Sequence, residues 1–101
     1  MVVEFSVIPI GGGASMSGRL AKVMRLIDSS GLNYRMGAMG TSVEGGWDEI
    51  LRLVKRCHRL LLAGSPRVLT HIVIDDRKGG RGRLVGKVAS VARKSGRSLK
   101  T

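Results

Sequence analysis

The residues with the clearest chemical potential lie in one stretch, Met39 to Glu49, where Glu44 precedes the pair Gly45-Gly46 and is followed by Trp47 and Asp48. A carboxylate can accept a hydrogen bond from an aminopyrimidine or neutralise a cationic ring, and an indole offers a stacking or cation–π surface. Glycines let a ligand approach the backbone closely. In the alternative interpretation Asp48 caps a helix, Trp47 packs and Glu44 is solvated. Both interpretations stay open on the residues alone.

Other candidate groups favour binding over catalysis. The run Gly11-Gly12-Gly13 precedes a serine-capped helix and could hold an anion. Its spacing matches neither the P-loop nor the dinucleotide fingerprint, so a turn is favoured. Asp75 and Asp76 are neighbours on a predicted strand and point to opposite faces, which prevents them from acting as an acid–base pair. With no nucleophile–base pair, the sequence predicts a protein that is not an enzyme.

The positive charge is concentrated in one segment of the chain. The net charge is +11, yet residues 1–76 hold nine Lys/Arg and seven Asp/Glu, whereas residues 77–101 hold nine Lys/Arg and no acidic residue. Such a segment could bind the phosphate backbone of a nucleic acid. It has no aromatic residue for stacking on bases, so a solvated basic helix face is modestly favoured. The candidate contacts of this alternative are Arg77, Lys78, Arg81, Arg83 and Lys87.

Composition predicts a single cytoplasmic domain without a metal or cofactor. No run of apolar residues is long enough to cross a membrane, and the first residues do not resemble a signal peptide. Cys57 is the only cysteine. Together with His58 and His71 it provides too few ligands for a structural zinc site.

Hydrophobic periodicity predicts the element order β-α-β-β-α-β, followed by a basic C-terminal helix. Helical periods run through Leu20–Ile27, Ile50–Leu61 and Leu84–Ala92. The predicted strands are Val2–Ile10, Leu32–Ala38, Thr41–Glu44 and Arg67–Asp76. This order is typical of an α+β, ferredoxin-like fold with an antiparallel sheet and both helices on one face. Residues 1–77 form that domain, and residues 78–101 add a Gly/Arg-rich loop and a helix to the same unit.

An uncovered sheet face predicts self-association. With both helices on one side, the other face of the sheet would be bare and would include Ile8 and Val73. A protein of this size usually covers such a face with another copy of itself. We therefore expect a homodimer or homotetramer.

Several segments, in the same order along the chain, resemble the small thiamine-binding, YkoF-like proteins of ferredoxin-like fold. The segments that carry the resemblance are Val3–Gly11, Met39–Thr41, Glu44-Gly45, Trp47–Glu49 and Ile74–Arg77. The resemblance implies a ferredoxin-like subunit, assembly into dimers or tetramers, and binding of thiamine or its hydroxymethylpyrimidine portion. It implies no catalytic activity.

The resemblance also implies a set of ligand-binding residues. Glu44 would meet the positive charge or an amino group of the ligand. Ser6 and Thr41 would supply hydrogen bonds. The apolar walls would come from Ile8, Met39 and Trp47, with Asp48 beside them. The chain departs from the family in its basic C-terminal segment, where a more acidic or mixed helix is usual.

Overall fold

The computed structural model describes residues 1–13 and 15–101 and confirms the predicted α+β architecture. The sheet is antiparallel, with strand order β2-β3-β1-β4. Its elements are β1 Val2–Ile10, α1 Met16–Ser29, β2 Asn33–Met36, β3 Thr41–Glu44, α2 Trp47–Leu62, β4 Arg67–Asp75 and α3 Arg83–Ser95. The ferredoxin-like order of the sequence prediction is therefore the order of the structure.

Local signals set the ends of the two long helices. The Ser15 hydroxyl accepts a hydrogen bond from the Gly18 N–H at 3.2 Å and caps α1. Gly31 follows that helix with a φ of 78°, a left-handed conformation that glycine adopts without steric cost. At the start of α2 the Glu49 side chain accepts from the Gly46 N–H at 3.2 Å, so the capping hydrogen bond comes from Glu49 and not from Asp48. No helix within residues 1–13 and 15–101 is long and apolar enough to span a membrane.

The core lies between one face of the sheet and the helices α1 and α2. Val3, Phe5 and Val7 alternate along β1 and are all buried, as the period of a strand predicts. They pack with apolar residues that recur at helical spacing in α1 and α2. The helical members of this core are Val23, Ile27, Ile50, Leu53, Val54, Cys57 and Leu61.

The hairpin between β2 and β3 shortens β2 relative to its prediction. The expected strand Leu32–Ala38 is reduced to Asn33–Met36. The Gly37 N–H donates to the Gly40 carbonyl oxygen at 2.9 Å, which closes the turn before Ala38 can pair. A Cβ on Gly37 would stand 2.8 Å from that oxygen, so this close approach requires glycine.

The helix α3 lies across the second face of the sheet, over β2 and β3. Strand alternation places Arg35 and Glu44 on this face, and both approach α3. The expectation of a bare face therefore applies only to β1 and β4. There Ile8 and Val73 are exposed, the latter with 66% of its surface accessible.

Candidate functional site

A cavity of about 280 Å³ opens between β1, α1 and the β2–β3 hairpin. Its volume is just below the range usual for ligand sites in proteins, about 300–1,000 Å³. The lining residues are Phe5, Ser6, Val7, Ile8, Leu20, Val23, Met24, Ile27, Met36, Gly37, Ala38, Met39, Gly40 and Thr41.

The cavity exists because β1 is longer than its neighbour β3. Pairing of these strands begins at Val2–Glu44 and ends at Phe5–Thr41, whereas β1 continues to Ile10. The hairpin reverses the chain at Gly37–Gly40, so no described strand accompanies this side of β1 beyond Phe5. A gap is left beside the second half of β1, and α1 forms its wall.

Four of the seven predicted ligand-binding residues line this cavity: Ser6, Ile8, Met39 and Thr41. Thr41 is 7% exposed, and its hydroxyl donates a long hydrogen bond to the Met24 Sδ at 3.6 Å. Met39 is 90% exposed and stands at the mouth on the hairpin turn. By alternation along β1, the side chains of Ser6 and Ile8 belong to the other face of the sheet.

Glu44 lies elsewhere and already has a partner. It is three residues from Thr41 along β3, about 10 Å at the usual strand rise, and its side chain is on the opposite face of the sheet. Its Oε2 accepts a hydrogen bond from the Arg83 N–H at 2.7 Å. Gly82, the residue that precedes α3, has no side chain to cap the helix, so Glu44 serves as a remote cap.

Trp47 and Asp48 also lie outside the lining of the cavity. Both are in the first turn of α2, which begins after the two glycines that follow β3. Trp47 is 50% exposed, and Asp48 is exposed to solvent. The carboxylate–glycine–indole stretch is therefore continuous in sequence, yet the structure does not bring its three functional side chains to the cavity.

The lining is apolar and, among the described residues, carries no ionisable side chain. The Thr41 hydroxyl and the backbone of β1 supply the polar groups. Met24, Met36 and Met39 add flexible, polarizable side chains, which adapt to flat ligands and favour contact with aromatic rings. The arrangement suits a small, neutral, aromatic group with a few hydrogen-bonding atoms.

Residues of α1 complete the cavity and were not assigned to a site from the sequence. Leu20, Val23 and Met24 fall on the apolar stripe of α1, which predicts only that they face the core. The sequence contains no signal that separates a residue packed against the sheet from one beside a gap in it. Only the unequal lengths of β1 and β3 make this distinction.

A second cavity, of about 370 Å³, lies between β2 and α3. Its lining includes Thr101 and Arg35. The positive charge of Arg35 would repel a cationic ligand. Its other lining residues are Met36, Leu84, Val85, Val88, Ala89 and Ala92.

The basic residues of the nucleic-acid alternative are partly engaged in holding α3. Lys87 forms an ion pair with Asp75 at the end of β4, and the backbone of Arg83 is bound by Glu44. The lysine lowers the pKa of Asp75, first through their hydrogen bond and then through its charge. Arg77, Lys78 and Arg81 lie in the exposed connection before α3.

Two other titratable groups have pKa values that are raised by their surroundings in the fold. Burial raises the pKa of the Cys57 thiol to about 11, which makes it an inert core residue at neutral pH. The Tyr34 hydroxyl donates to the Asp28 Oδ1 at 2.6 Å, and this bond raises the pKa of the tyrosine. Within the part of the chain that the structure describes, no three His, Cys, Asp or Glu side chains are grouped as metal ligands.

Comparison with known proteins identifies the family. The family model described as thiamine-binding protein matches residues 3–92, which is most of the chain. The chain belongs to the thiamine-binding protein family. The resemblance recognised from Val3–Gly11, Met39–Thr41 and the later segments is thereby confirmed.

Relatives of this chain align with it over most of its length. A UPF0045 protein of Methanocaldococcus jannaschii is 35% identical over 91 residues, which cover 90% of this chain and 91% of the relative. A UPF0045 protein of Synechocystis is 34% identical over 92 residues, 90% of this chain and 76% of the relative.

Solved structures agree with the fold. A hypothetical protein of Methanocaldococcus jannaschii superimposes with a TM-score of 0.82 at 35% identity, covering 90% of this chain and 94% of the other. A protein of Thermotoga maritima that is provisionally described as a thiamine biosynthesis/salvage protein superimposes with a TM-score of 0.77 at 28% identity, covering 89% and 96%. These comparisons support a thiamine-related role, and they provide no support for a nucleic-acid partner.

Proposed function

We propose that this protein is a non-catalytic binder of thiamine or its hydroxymethylpyrimidine portion, that the ligand occupies the cavity between β1, α1 and the hairpin, and that the protein acts as an oligomer. The observation that carries the ligand assignment is a largely apolar cavity, whose described lining is uncharged, in a member of the thiamine-binding protein family. The cavity lies beside the part of β1 that continues beyond its pairing with β3.

The chemistry of the lining supports a pyrimidine ligand. Met24 and Met36 provide soft apolar surfaces for the faces of a ring. Thr41 offers a nearly buried hydroxyl whose partner in the free protein, the Met24 sulfur, is a weak acceptor. That hydroxyl can turn to a ring nitrogen or to a ligand hydroxyl at little cost.

The same lining supports binding rather than catalysis. A general acid or base must reach the reacting group within hydrogen-bond distance. The described residues that line the cavity include no His, Asp, Glu, Lys, Cys or Tyr. Glu44, the carboxylate implied by the resemblance, is bound to α3 on the other face of the sheet.

Titration calorimetry with thiamine, hydroxymethylpyrimidine and the isolated hydroxyethylthiazole tests the ligand. We expect the first two to bind and to stabilise the protein, by about 2.7 kcal/mol at a free ligand concentration 100 times Kd. A variant with Val23→Phe, which places a larger side chain in the cavity, should bind weakly. Absence of heat and of a melting shift with both pyrimidines would refute the proposal.

The edge strand β4 supports the oligomer. It pairs with β1 on one side and is one of the two outer strands of the sheet. Residues 68–74 contain no Lys, Arg, Asp or Glu, the residues that usually prevent edge pairing. Val73 is 66% exposed, and Ile72 and Ile74 are partly exposed on the opposite face of the strand. Antiparallel pairing of two β4 strands centred on His71 would also place Arg67 of one copy opposite Asp75 of the other.

Light scattering after gel filtration tests this interface. The wild-type protein should have at least twice the subunit mass at micromolar concentration, and Val73→Lys should reduce the assembly. Met16→Lys, which also introduces a lysine at an exposed apolar residue but away from β4, is the matched control. A monomeric wild-type protein would refute the oligomer without affecting the ligand assignment.

A further inference from the structure

Beside the cavity, the backbone N–H and C=O of Val7 have no hydrogen-bond partner among the described residues. Met1 and Gly45 exchange both of their backbone hydrogen bonds, at 3.0 and 3.1 Å. In an antiparallel ladder such pairs recur at every second residue. The register therefore makes Val3–Val43 and Phe5–Thr41 the next pairs of this kind. The N–H and C=O of Val7 point to the same side, where no described strand is paired.

The residue that would form the next hydrogen-bonded pair with Val7 is Met39, but Met39 lies in the hairpin turn and not on a strand. Extension of the β1–β3 register would place Met39 opposite Val7. The chain instead reverses at Gly37–Gly40, and Met39 is exposed on the turn. Val7 lines the cavity, so a bound molecule can take the place of the missing residue. The next residue of β1 whose backbone faces this side is Pro9, which has no N–H to donate.

We propose that the Val7 backbone reads the edge of an aminopyrimidine, with its N–H donating to a ring nitrogen and its C=O accepting from the neighbouring amino group. This inference rests on the proposed function and specifies how that site selects its ligand. An aminopyrimidine carries an acceptor and a donor side by side, the pattern that a strand residue offers to its partner in a hydrogen-bonded pair. The recognition is built into the main chain and requires no polar side chain at position 7.

The uncharged lining determines which half of thiamine enters. The thiazolium ring is permanently cationic, and burial of a charge without a partner is costly. The described lining residues carry no carboxylate to offset that charge. The site therefore takes the neutral pyrimidine inside and leaves the thiazolium, when it is present, at the mouth near Met39.

Exchange of the amino group for a carbonyl oxygen provides a sharp test. In the oxo analogue the ring nitrogen becomes a donor and the exocyclic atom an acceptor. In the same orientation, the ring N–H would then face the Val7 N–H, and the exocyclic oxygen would face the Val7 C=O. The ring can form both hydrogen bonds only if it is flipped, and a flipped ring places its other substituents in exchanged positions. Calorimetry should give an affinity for the oxo analogue lower by on the order of 100-fold, and thiamine and hydroxymethylpyrimidine should agree within about tenfold.

Heteronuclear NMR of the ligand-bound protein locates the contact. On addition of hydroxymethylpyrimidine we expect the Val7 amide to shift downfield and to gain protection from hydrogen exchange. The amide of Val3, which is already paired with Val43, is the internal control. Pyrimidine binding with an unchanged Val7 amide, or equal affinities for the amino and oxo compounds, would overturn this inference while leaving the proposed function intact. Absence of binding by every pyrimidine would instead overturn the proposed function, and this inference with it.

Discussion

Replacement of Glu44 distinguishes a structural role of its carboxylate from a ligand-binding role. Its Oε2 accepts from the Arg83 N–H at 2.7 Å, at the N-terminus of a helix that has no side-chain cap of its own. A hydrogen bond to a charged group contributes about 1.5–3 kcal/mol, and a carboxylate near a helix N-terminus about 0.3–1 kcal/mol. Glu44→Ala should therefore weaken the docking of α3 by about 2–3 kcal/mol. Glu44→Gln retains an acceptor oxygen and should cost about 1 kcal/mol.

Native-state hydrogen exchange measures this docking directly. A loss of about 2 kcal/mol corresponds to roughly a 30-fold fall in the protection of the α3 amides. The amides of β1, which lies in the core on the other side of β3, should remain protected. Thiamine titrations on the same samples should give nearly wild-type affinities, because Glu44 is remote from the cavity. Asp48→Asn, which neutralises an exposed carboxylate in the neighbouring helix, is the matched control.

The opposite pattern would refute this reasoning. If Glu44→Gln removes thiamine binding while α3 keeps its wild-type protection, the carboxylate belongs to the ligand site, as the family resemblance implies. Loss of both properties in Glu44→Ala but of neither in Glu44→Gln would show that α3 itself supports the site.

Three further predictions concern the cavity, the core and the C-terminal helix. Thr41→Val should weaken thiamine binding by about 2- to 10-fold with little change in the free energy of unfolding, since a methyl group replaces a nearly buried hydroxyl; equal Kd values by calorimetry would contradict its hydrogen bond. Cys57 should resist alkylation in the native protein and react in denaturant. Because burial raises its pKa from 9.0 to about 11, the free energy of unfolding should fall as the pH rises through that interval. Lys87 lowers the pKa of Asp75, so their ion pair stabilises the fold at pH values above 3.8, the ordinary pKa of an aspartate. This stabilisation is lost as the pH falls through the lower pKa of Asp75 in the folded protein. Hydrogen exchange of α3 should show this acid-induced loosening, and Asp75→Asn should lack the component that depends on the pair.

The fold was predictable because each of its parts is encoded locally. Alternation of Val3, Phe5 and Val7 identifies the buried face of β1, and the helical stripe from Ile50 to Leu61 identifies the buried face of α2. The element order leaves the ferredoxin-like arrangement as the natural way to cover one face of a four-stranded sheet. The position of α3 was not predictable, because its apolar stripe could pack against a second copy of the protein or against its own sheet. Only the contacts of α3 with Glu44 and Asp75 decide between these two arrangements.

The candidate site was predictable only in part. The family segments carried all seven expected ligand-binding residues. Ser6, Ile8, Met39 and Thr41 line the cavity, whereas Glu44, Trp47 and Asp48, which follow Thr41 closely in sequence, do not. Adjacency did not bring their side chains together, since neighbours on a strand point to opposite faces and three strand residues span about 10 Å.

The sequence by itself therefore determined the elements, the buried faces and the family, because periodicity and short motifs are local properties. Tertiary structure alone decided where the cavity lies. Its position depends on how far β1 extends beyond the end of its pairing with β3. That difference in length follows from the turn at Gly37–Gly40 and from the register between β1 and β3, which are distant in sequence. The unpaired backbone of Val7 is a consequence of that register, and no side chain in the sequence marks it.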